Sequence, residues 1–267
     1  MMKALIIAAG RGERFKPFTD ENPKPLIPLL GRPIIERVIS AVREVGIKDL
    51  IIVTGYLGGK LRAFLGDGSK YRVRIRYVEN EDWMRGNGVS VYKARDLIDG
   101  KFILLMSDHI FNPSILCRLK KFRINDECVL CVDMHMRYVF DVDDATKVLV
   151  DGDRILRIGK ELKDYNGIDM GIFLCSPIIF KALEKSIWNK RCSLTDAIRE
   201  LANWGKMRAC CFKDEAYYWM DIDTPRMEEI AEELLPLLES KASSKEIFRE
   251  KSTVSPLRSM SVRTLQR

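Results

Sequence analysis

One stretch constrains this chain more than any other: residues 3–28, KALIIAAGRGERFKPFTDENPKPLIP. Its opening, 3–9, is a short apolar run centred on Ile6 and Ile7, the pattern of a strand covered on both faces. The run ends in Ala8, Ala9, Gly10 and Gly12. With so little side chain there, the backbone can approach a ligand closely and present N–H groups to phosphate oxygens. Arg14 and Lys24 add positive charge to the same loop, while Pro17, Pro23 and Pro25 stiffen a segment with no helix or strand pattern. The expectation is a cradle for a nucleoside triphosphate. It is not the dinucleotide fingerprint, because the third glycine is missing, nor Walker A, because the Gly-Lys-Ser/Thr ending is absent. Gly-x-Gly alone occurs in ordinary turns, so the weight rests on the whole string.

The 267 residues, 46% of them hydrophobic, suffice for one large α/β domain or two small ones. The net charge of +7 is unevenly placed: 241–267 holds seven Lys/Arg and two Glu, so five of the seven net charges sit there. The body, 1–240, therefore gives no reason to expect nucleic acid as a partner. Seven cysteines scattered through apolar stretches suit reduced thiols in a cytoplasmic protein. Cys128 and Cys131 form a Cys-x-x-Cys, but inside a predicted strand they point to opposite faces, which argues against a shared zinc. The N-terminus reads as a core strand rather than a signal peptide, and no apolar run reaches membrane-spanning length.

Beyond the cradle, strand and helix patterns alternate. Helices are predicted at 33–45, 57–65 and 89–97, strands at 49–54, 73–78 and 101–106, and a polar loop at 79–88. Repeated strand–helix units imply an α/β fold with a mainly parallel sheet and helices on both faces. Such sheets bind ligands beyond the carboxyl ends of their strands, and the cradle, Thr54-Gly55, the 79–88 loop and Ser107-Asp108 all sit at such ends. The second half predicts strands at 127–134, 146–150, 154–158, 170–175 and 206–212, a hairpin turn at Asp151-Gly152-Asp153, an extended 219–223, and helices at 177–186, 194–203 and 225–239. After Ser240 the periodicity fades into a Ser-rich basic tail, 241–267.

Gly10, Gly12, Arg14, Pro17, Thr19, Pro23, Lys24, Pro25, Leu26 and Pro28 together resemble the opening signature of the sugar-1-phosphate nucleotidyltransferases. The likeness spans about 1–240 and implies a three-layer, Rossmann-like nucleotide-diphospho-sugar transferase fold with a mixed, mainly parallel sheet. Nucleotidyl transfer joins two anions, so its site must neutralise charge and align an in-line attack, commonly with Mg2+ held by carboxylates. Asp108 ends a predicted strand at the right edge. Asp221 and Asp223 share a face on an extended chain, and Trp219-Met220-Asp221-Ile222-Asp223-Thr224 looks like the family's second acidic motif. Asp108, Asp221 and Asp223 are thus the expected metal ligands; the competing reading is a turn or helix N-cap for Asp108 and the cap of the last helix for Asp223.

The resemblance also places Lys24 beside the reacting phosphate, Arg14 on the outer phosphates and Lys160 on the acceptor phosphate. Lys24, Arg14 and Asp108 are the expected catalytic residues. Ala8, Ala9, Gly10, Gly12, Thr54, Gly55, Glu81, Asn87, Gly88 and Ser107 join Arg14 and Lys24 as expected nucleotide contacts. Many thymidylyl and uridylyl enzymes carry Gly-Thr-Ala or Gly-Leu-Ala where this chain has Gly86-Asn87-Gly88-Val89-Ser90, which is more similar to the cytidylyltransferases, with Asn87 a candidate reader of the ring edge. Asp144, Lys147, Lys160, Asp169 and Gly171 are expected on the acceptor side.

In its motifs the chain resembles the inositol-1-phosphate cytidylyltransferases of archaea and thermophiles, often fused to a membrane-bound CDP-alcohol phosphotransferase domain. The implied reaction is CTP plus inositol 1-phosphate to CDP-inositol plus pyrophosphate, with Mg2+. A phosphocholine or sugar-1-phosphate nucleotidyltransferase stays open as an alternative, the former because Trp83, Tyr165, Tyr217, Tyr218 and Trp219 can supply an aromatic cage for its ammonium. A nucleotide-sensing homologue without activity is the non-enzyme alternative, but it predicts loss of Lys24, Arg14 or the acidic pair, and all are present. His109 is placed to line the site and His135 to be structural; no buried base is required, since a phosphate monoester dianion is already a nucleophile. The expected location is cytoplasmic, with the tail either a plain spacer or a segment lying at an anionic membrane face.

Overall fold

The computed structural model describes residues 2–136, 139–213 and 217–242, with backbone alone for the last two. The chain opens with β1 (Lys3–Ala8), the short helix α1 (Phe18–Glu21) and a small ribbon of β2 (Pro28–Leu29) with β3 (Arg32–Pro33). Next come α2 (Ile34–Glu44), β4 (Asp49–Thr54), α3 (Gly58–Leu65), β5 (Arg74–Glu79), α4 (Asn87–Lys93) and β6 (Phe102–Met106). The second half runs β7 (His109–Phe111), α5 (Ser114–Leu119), β8 (Cys128–Asp133), β9 (Lys147–Asp151), β10 (Arg154–Gly159), β11 (Gly167–Cys175), α6 (Ile178–Trp188), α7 (Leu194–Asn203), β12 (Met207–Phe212), β13 (Trp219–Asp221) and α8 (Pro225–Ala242).

Among the described residues, nine strands form one sheet in the order β5-β4-β1-β6-β11-β8-β12-β10-β9. Pairing is parallel from β5 through β6, where strand–helix units repeat, and again between β8 and β12. β11 runs antiparallel to both β6 and β8, and β10 antiparallel to β12 and β9. Strand alternation then sorts the core. Leu5, Ile51 and Leu104 join α4, α6 and α7 on one face; Ile6, Ile52 and Ile103 join α2, α3 and α5 on the other. Cys128 and Cys131 fall into opposite layers for the same reason, so they cannot share a metal ion.

The sequence pattern misses some short pieces. The cradle was expected to lack regular structure, yet it winds through α1 and two tight turns, Glu13–Phe15 and Lys24–Leu26; pieces this short leave no periodicity to read. α4 starts at Asn87 rather than 89, because Gly86 breaks the chain at φ +128° and the helix begins directly after it. The hairpin turn is where it was expected, with Gly152 at φ +58° between β9 and β10.

A third apolar core matters most for the site. Phe15 and Ile27 from the cradle, Ile110 from β7, Met220 and Ile222 from β13 and its extension, and Leu235 from α8 pack together. That packing holds the segment bearing Asp221 and Asp223 against the loop bearing Arg14 and Lys24, two hundred residues away. Among the described residues no helix is long and apolar enough to cross a membrane. The tail beyond Ala242 lies outside the described residues.

Candidate active site

The carboxyl ends of β1 and β6, the cradle and the start of α4 enclose a cleft of about 360 Å³. Ala8, Ala9, Gly10, Gly12, Arg14, Lys24, Asn87 and Ser107 line it, with Asp108, Asp223, Trp83 and Ser90. Gly12 sits at φ +71°, and a Cβ there would lie 2.8 Å from Lys24 Cβ; only glycine lets the cradle fold back over the lysine. Ser90 was not singled out by sequence. Its Oγ accepts a hydrogen bond from Asn80 Nδ2 at 2.9 Å, both residues being buried, while Asn80 Oδ1 takes the Asp82 N–H at 3.1 Å. Ser90 thus lines the cleft with its hydroxyl held by Asn80.

Four expected nucleotide contacts do not reach that lining. Thr54 is buried and its Oγ1 accepts from Arg62 Nη2 at 3.1 Å. Gly55 allows two loops to meet, since a Cβ there would lie 2.7 Å from the Ala9 carbonyl oxygen. Gly88 packs against Cys192 in the same manner, and Glu81 is exposed on the loop outside. Small residues at strand ends serve chain packing as readily as ligand approach, and sequence does not separate the two uses.

Charge concentrates at one edge of the cleft. Lys24 is only 7% exposed, and its Nζ donates to Asp108 Oδ2 at 2.6 Å and to Asp223 Oδ1. Arg14 bonds Asp223 and, at 2.9 Å, Asp144 Oδ2, whose other oxygen pairs with Lys160. Neither aspartate of the Lys24 pair acts as a helix cap: Thr224 Oγ1 takes that role in α8, accepting from the Met227 N–H at 3.2 Å. Burial alone would lower the Lys24 pKa, but Asp108, Asp223 and Asp221 outweigh it and hold the ammonium above its ordinary range. Burial would likewise raise Asp108; Lys24 and His109 reverse that and hold it well below the usual carboxylate range.

His109 Nδ1 lies 2.9 Å from Asp108 Oδ1 and 3.7 Å from Asp221 Oδ1. Burial disfavours its charged form, yet Asp221, Asp108 and Asp223 raise its pKa to about 9. Its ring stacks on Trp219 at 5.9 Å between centroids, and Trp219 Nε1 donates to buried Asp133 Oδ2 at 2.9 Å. Asp133 is a support that sequence reasoning missed, because nothing in a continuous apolar strand marks its last residue as an indole acceptor.

Asp108, His109 and Asp221 each bring a donor atom within 4.8 Å of the others. Asp221 Oδ1 is buried with no hydrogen-bond partner among the described residues. Burial, with the charges of Asp108 and Asp223 and against that of His109, pushes its carboxyl up to about 6. An orphaned buried carboxylate oxygen beside two more aspartates is costly by itself and suits a hard divalent cation. The residues present therefore fit a divalent metal.

A second cavity, about 180 Å³, adjoins the first and shares Asn87, Met106 and Asp223 with it. Asp144, Lys160, Asp169 and Gly171 line it, whereas Lys147 does not. Lys147 is buried, with Nζ donating to the carbonyls of Lys160 at 2.8 Å and Asp143 at 3.1 Å; it ties the loop before β9 to the end of β10. Gly171, at φ +67°, breaks the register of β11 on β8, and a Cβ there would lie 2.8 Å from the His109 ring. The bend aims Asp169 into the cavity, its Oδ1 accepting the Gly171 N–H at 2.7 Å.

Burial pushes the Asp169 carboxyl up to about 6, the Gly171 N–H and His109 opposing it only in part. A pKa raised on folding means the ionised group costs stability above about pH 6, and nothing below about pH 4, where it is protonated in both states. Asp169→Asn is expected to raise the melting temperature at pH 8 by a few degrees, equivalent to on the order of 1–2 kcal/mol once the solvent in the cavity is allowed for. No gain is expected at pH 4. Equal gains at both pH values would show that the charge is not the cause.

The family profile described as Nucleotidyl transferase matches residues 3–228. The chain is 35% identical over 233 residues to the "Bifunctional IPC transferase and DIPP synthase" of Aquifex aeolicus (strain VF5), covering 87% of this chain and 51% of that protein. It is 34% identical over 234 residues to the protein of the same description from Rubrobacter xylanophilus, again covering 87% and 51%. The chain thus spans about half the length of the curated relatives it matches. The solved inositol-1-phosphate CTP transferase from T. maritima superposes with a TM-score of 0.77 at 26% identity, covering 90% of this chain and 97% of that one. A three-layer α/β fold, a glycine cradle backed by Arg14 and Lys24, and a match along nearly the whole described body place this chain in the nucleotidyl transferase family.

Proposed function

We propose that this chain transfers a cytidylyl group from CTP to inositol 1-phosphate, giving CDP-inositol and pyrophosphate, with residues 1–240 as the catalytic unit. The observation that carries the reading is the convergence of Lys24, Asp108 and Asp223 where the cradle cleft meets a second cavity of mixed polar and apolar lining. The triphosphate lies along the cradle, with the backbone N–H groups of Gly10 to Gly12 and the Arg14 guanidinium on its outer phosphates. Lys24 stands where negative charge builds at the α-phosphate. Lys160 holds the acceptor phosphate, one oxygen of which attacks the α-phosphorus. As that P–O bond forms, the bond to the β-phosphate oxygen breaks and pyrophosphate departs. The attacking oxygen carries no proton, so no base is needed. Asp108, Asp221 and Asp223 would hold Mg2+, which when bound would neutralise charge on the transferring phosphate.

Cytosine is supported by the Gly86–Ser90 element and by the relatives' descriptions. A polyol acceptor is supported by Thr146, Asp144, Asp169 and Lys160 on the second cavity, groups that can bond hydroxyls and a phosphate. Phe140, Phe173 and Trp219 line it as well, so phosphocholine is the competitor that the assay must exclude. The test is pyrophosphate release across CTP, UTP, dTTP and ATP, each with inositol 1-phosphate, phosphocholine and hexose 1-phosphates. CTP with inositol 1-phosphate is expected to exceed every other pair by about tenfold or more, the discrimination that one well-placed polar contact can supply. A faster pair, or no release with any, removes the assignment.

The same reading extends to location. The seven basic residues of 241–267 suit an anionic membrane surface, where each contributes about 1 kcal/mol. That would hold the product near a membrane-bound enzyme that consumes it. The full chain should co-sediment with anionic vesicles at low salt, and a chain ending at Ser240 should not. Failure of the full chain to sediment makes the tail a spacer.

A further inference from the structure

Two helix starts cap each other across the site, and we infer that this makes Asn87 a positioning residue that couples the nucleotide cleft to the acceptor wall. The first N–H groups of a helix have no partner within it. In α4, the Gly88 N–H donates to the Cys192 carbonyl at 3.0 Å. In α7, the Leu194 N–H donates to Asn87 Oδ1 at 2.8 Å. The approach is tight enough that a Cβ on Gly86 or Gly88 would fall 2.6 or 2.7 Å from the Cys192 carbonyl oxygen, which explains a glycine on each side of Asn87. Asn87 Oδ1 thus has a partner in α7 before any nucleotide is bound.

The second half of the stitch is rigid. Ser193 and Asp196 form a reciprocal capping box, with Ser193 Oγ accepting the Asp196 N–H at 3.1 Å. A shift at the Leu194 N–H therefore moves the first turn of α7 as a unit. Asn87 lines both cavities, whereas Leu194 and Thr195 line only the second. A nucleotide seated against α4 sets the place of Asn87, and through it the wall that the acceptor meets. Nucleotide binding then orders the acceptor cavity, and by linkage the acceptor tightens the nucleotide by the same factor. The inference rests on the nucleotidyl-transfer reading but not on which base is used.

Hydrogen–deuterium exchange of the full chain tests this, with Mg2+ and CTP, UTP, dTTP or ATP in separate arms, read at 83–90 and 192–197. In the wild type, whichever nucleotide protects 83–90 is expected to slow exchange at 192–197 by about fivefold or more, the lower range of ordinary site coupling. Asn87→Ala should keep the first protection and lose the second, and Asn87→Asp, which retains an acceptor for the Leu194 N–H, should restore it. A merely structural role would change 192–197 equally with and without nucleotide. Protection confined to 83–90 in the wild type, protection of neither segment by any nucleotide, or an Asn87→Ala chain that still transmits it, overturns the inference. Transmission driven by UTP but not CTP leaves it standing and removes the cytidylyl assignment instead.

Discussion

Lys24→Ala is expected to lose about a hundredfold or more in turnover, with a far smaller change in KM for the nucleotide. The ammonium is buried between Asp108 and Asp223 at the junction of the two cavities, where its charge acts on the transition state more than on the bound substrate. Its removal also leaves two half-buried carboxylates without their shared donor, so the metal-free variant should melt lower than the wild type and regain part of the loss when Mg2+ is added. Steady-state kinetics with CTP and inositol 1-phosphate, beside thermal melts with and without Mg2+, separate the two effects. Turnover within a few fold of the wild type would show that Lys24 is a structural counter-ion and nothing more.

Asp108→Asn and Asp223→Asn are each expected to raise the Mg2+ concentration for half-maximal activity by about tenfold or more. Each removes one charged oxygen ligand from a site that the hard cation holds by few protein contacts. Asp221→Asn bears on pH as well. With its carboxyl raised to about 6 before metal binds, Mg2+ competes with a proton there, so the wild type should need more Mg2+ as pH falls through 6. That extra demand should shrink in Asp221→Asn, whose side chain takes up no proton. Activity against Mg2+ at pH 5.5 and pH 8 measures all three variants. Should Asp108→Asn or Asp223→Asn be unstable yet normally active per folded molecule, with an unchanged Mg2+ requirement, the carboxylate is a structural group.

Legibility in the sequence followed the length and burial of each piece. β4 coincides with its apolar run and α7 with its helical pattern, because continuous burial and strong amphipathicity leave full periods to read. β7, β13 and the turns of the cradle are too short for that. The acidic residues were legible as candidates, but their meeting with Lys24 depends on the third core formed by Phe15, Ile110 and Met220, a tertiary contact with no local signature. Lys147 shows the opposite limit. A lysine in a polar run looks like a surface charge or a ligand contact, and only the folded chain reveals three backbone carbonyls around its ammonium. Asn87 was visible as a site residue, but not its bond to a helix a hundred residues away.

The ion pairs along the cleft and the adjoining cavity bear on how ligands arrive. Lys24, Arg14 and Lys160 each already face a carboxylate, and Asp108, Asp144 and Asp223 each already face a cation. Seen from outside, the opposite charges largely cancel, so little long-range field is left to draw in a polyanion. Encounter is then governed by diffusion and shape, and salt affects capture weakly. On the proposed reading, Asp108 and Asp223 would hold the divalent cation and Lys24, Arg14 and Lys160 the phosphates, each group giving up its present partner, so tight holding would need metal and phosphate together. A free phosphate lacking its metal finds those basic groups already engaged, which disfavours the many small anions of a cell relative to the one complex that satisfies both halves of the exchange.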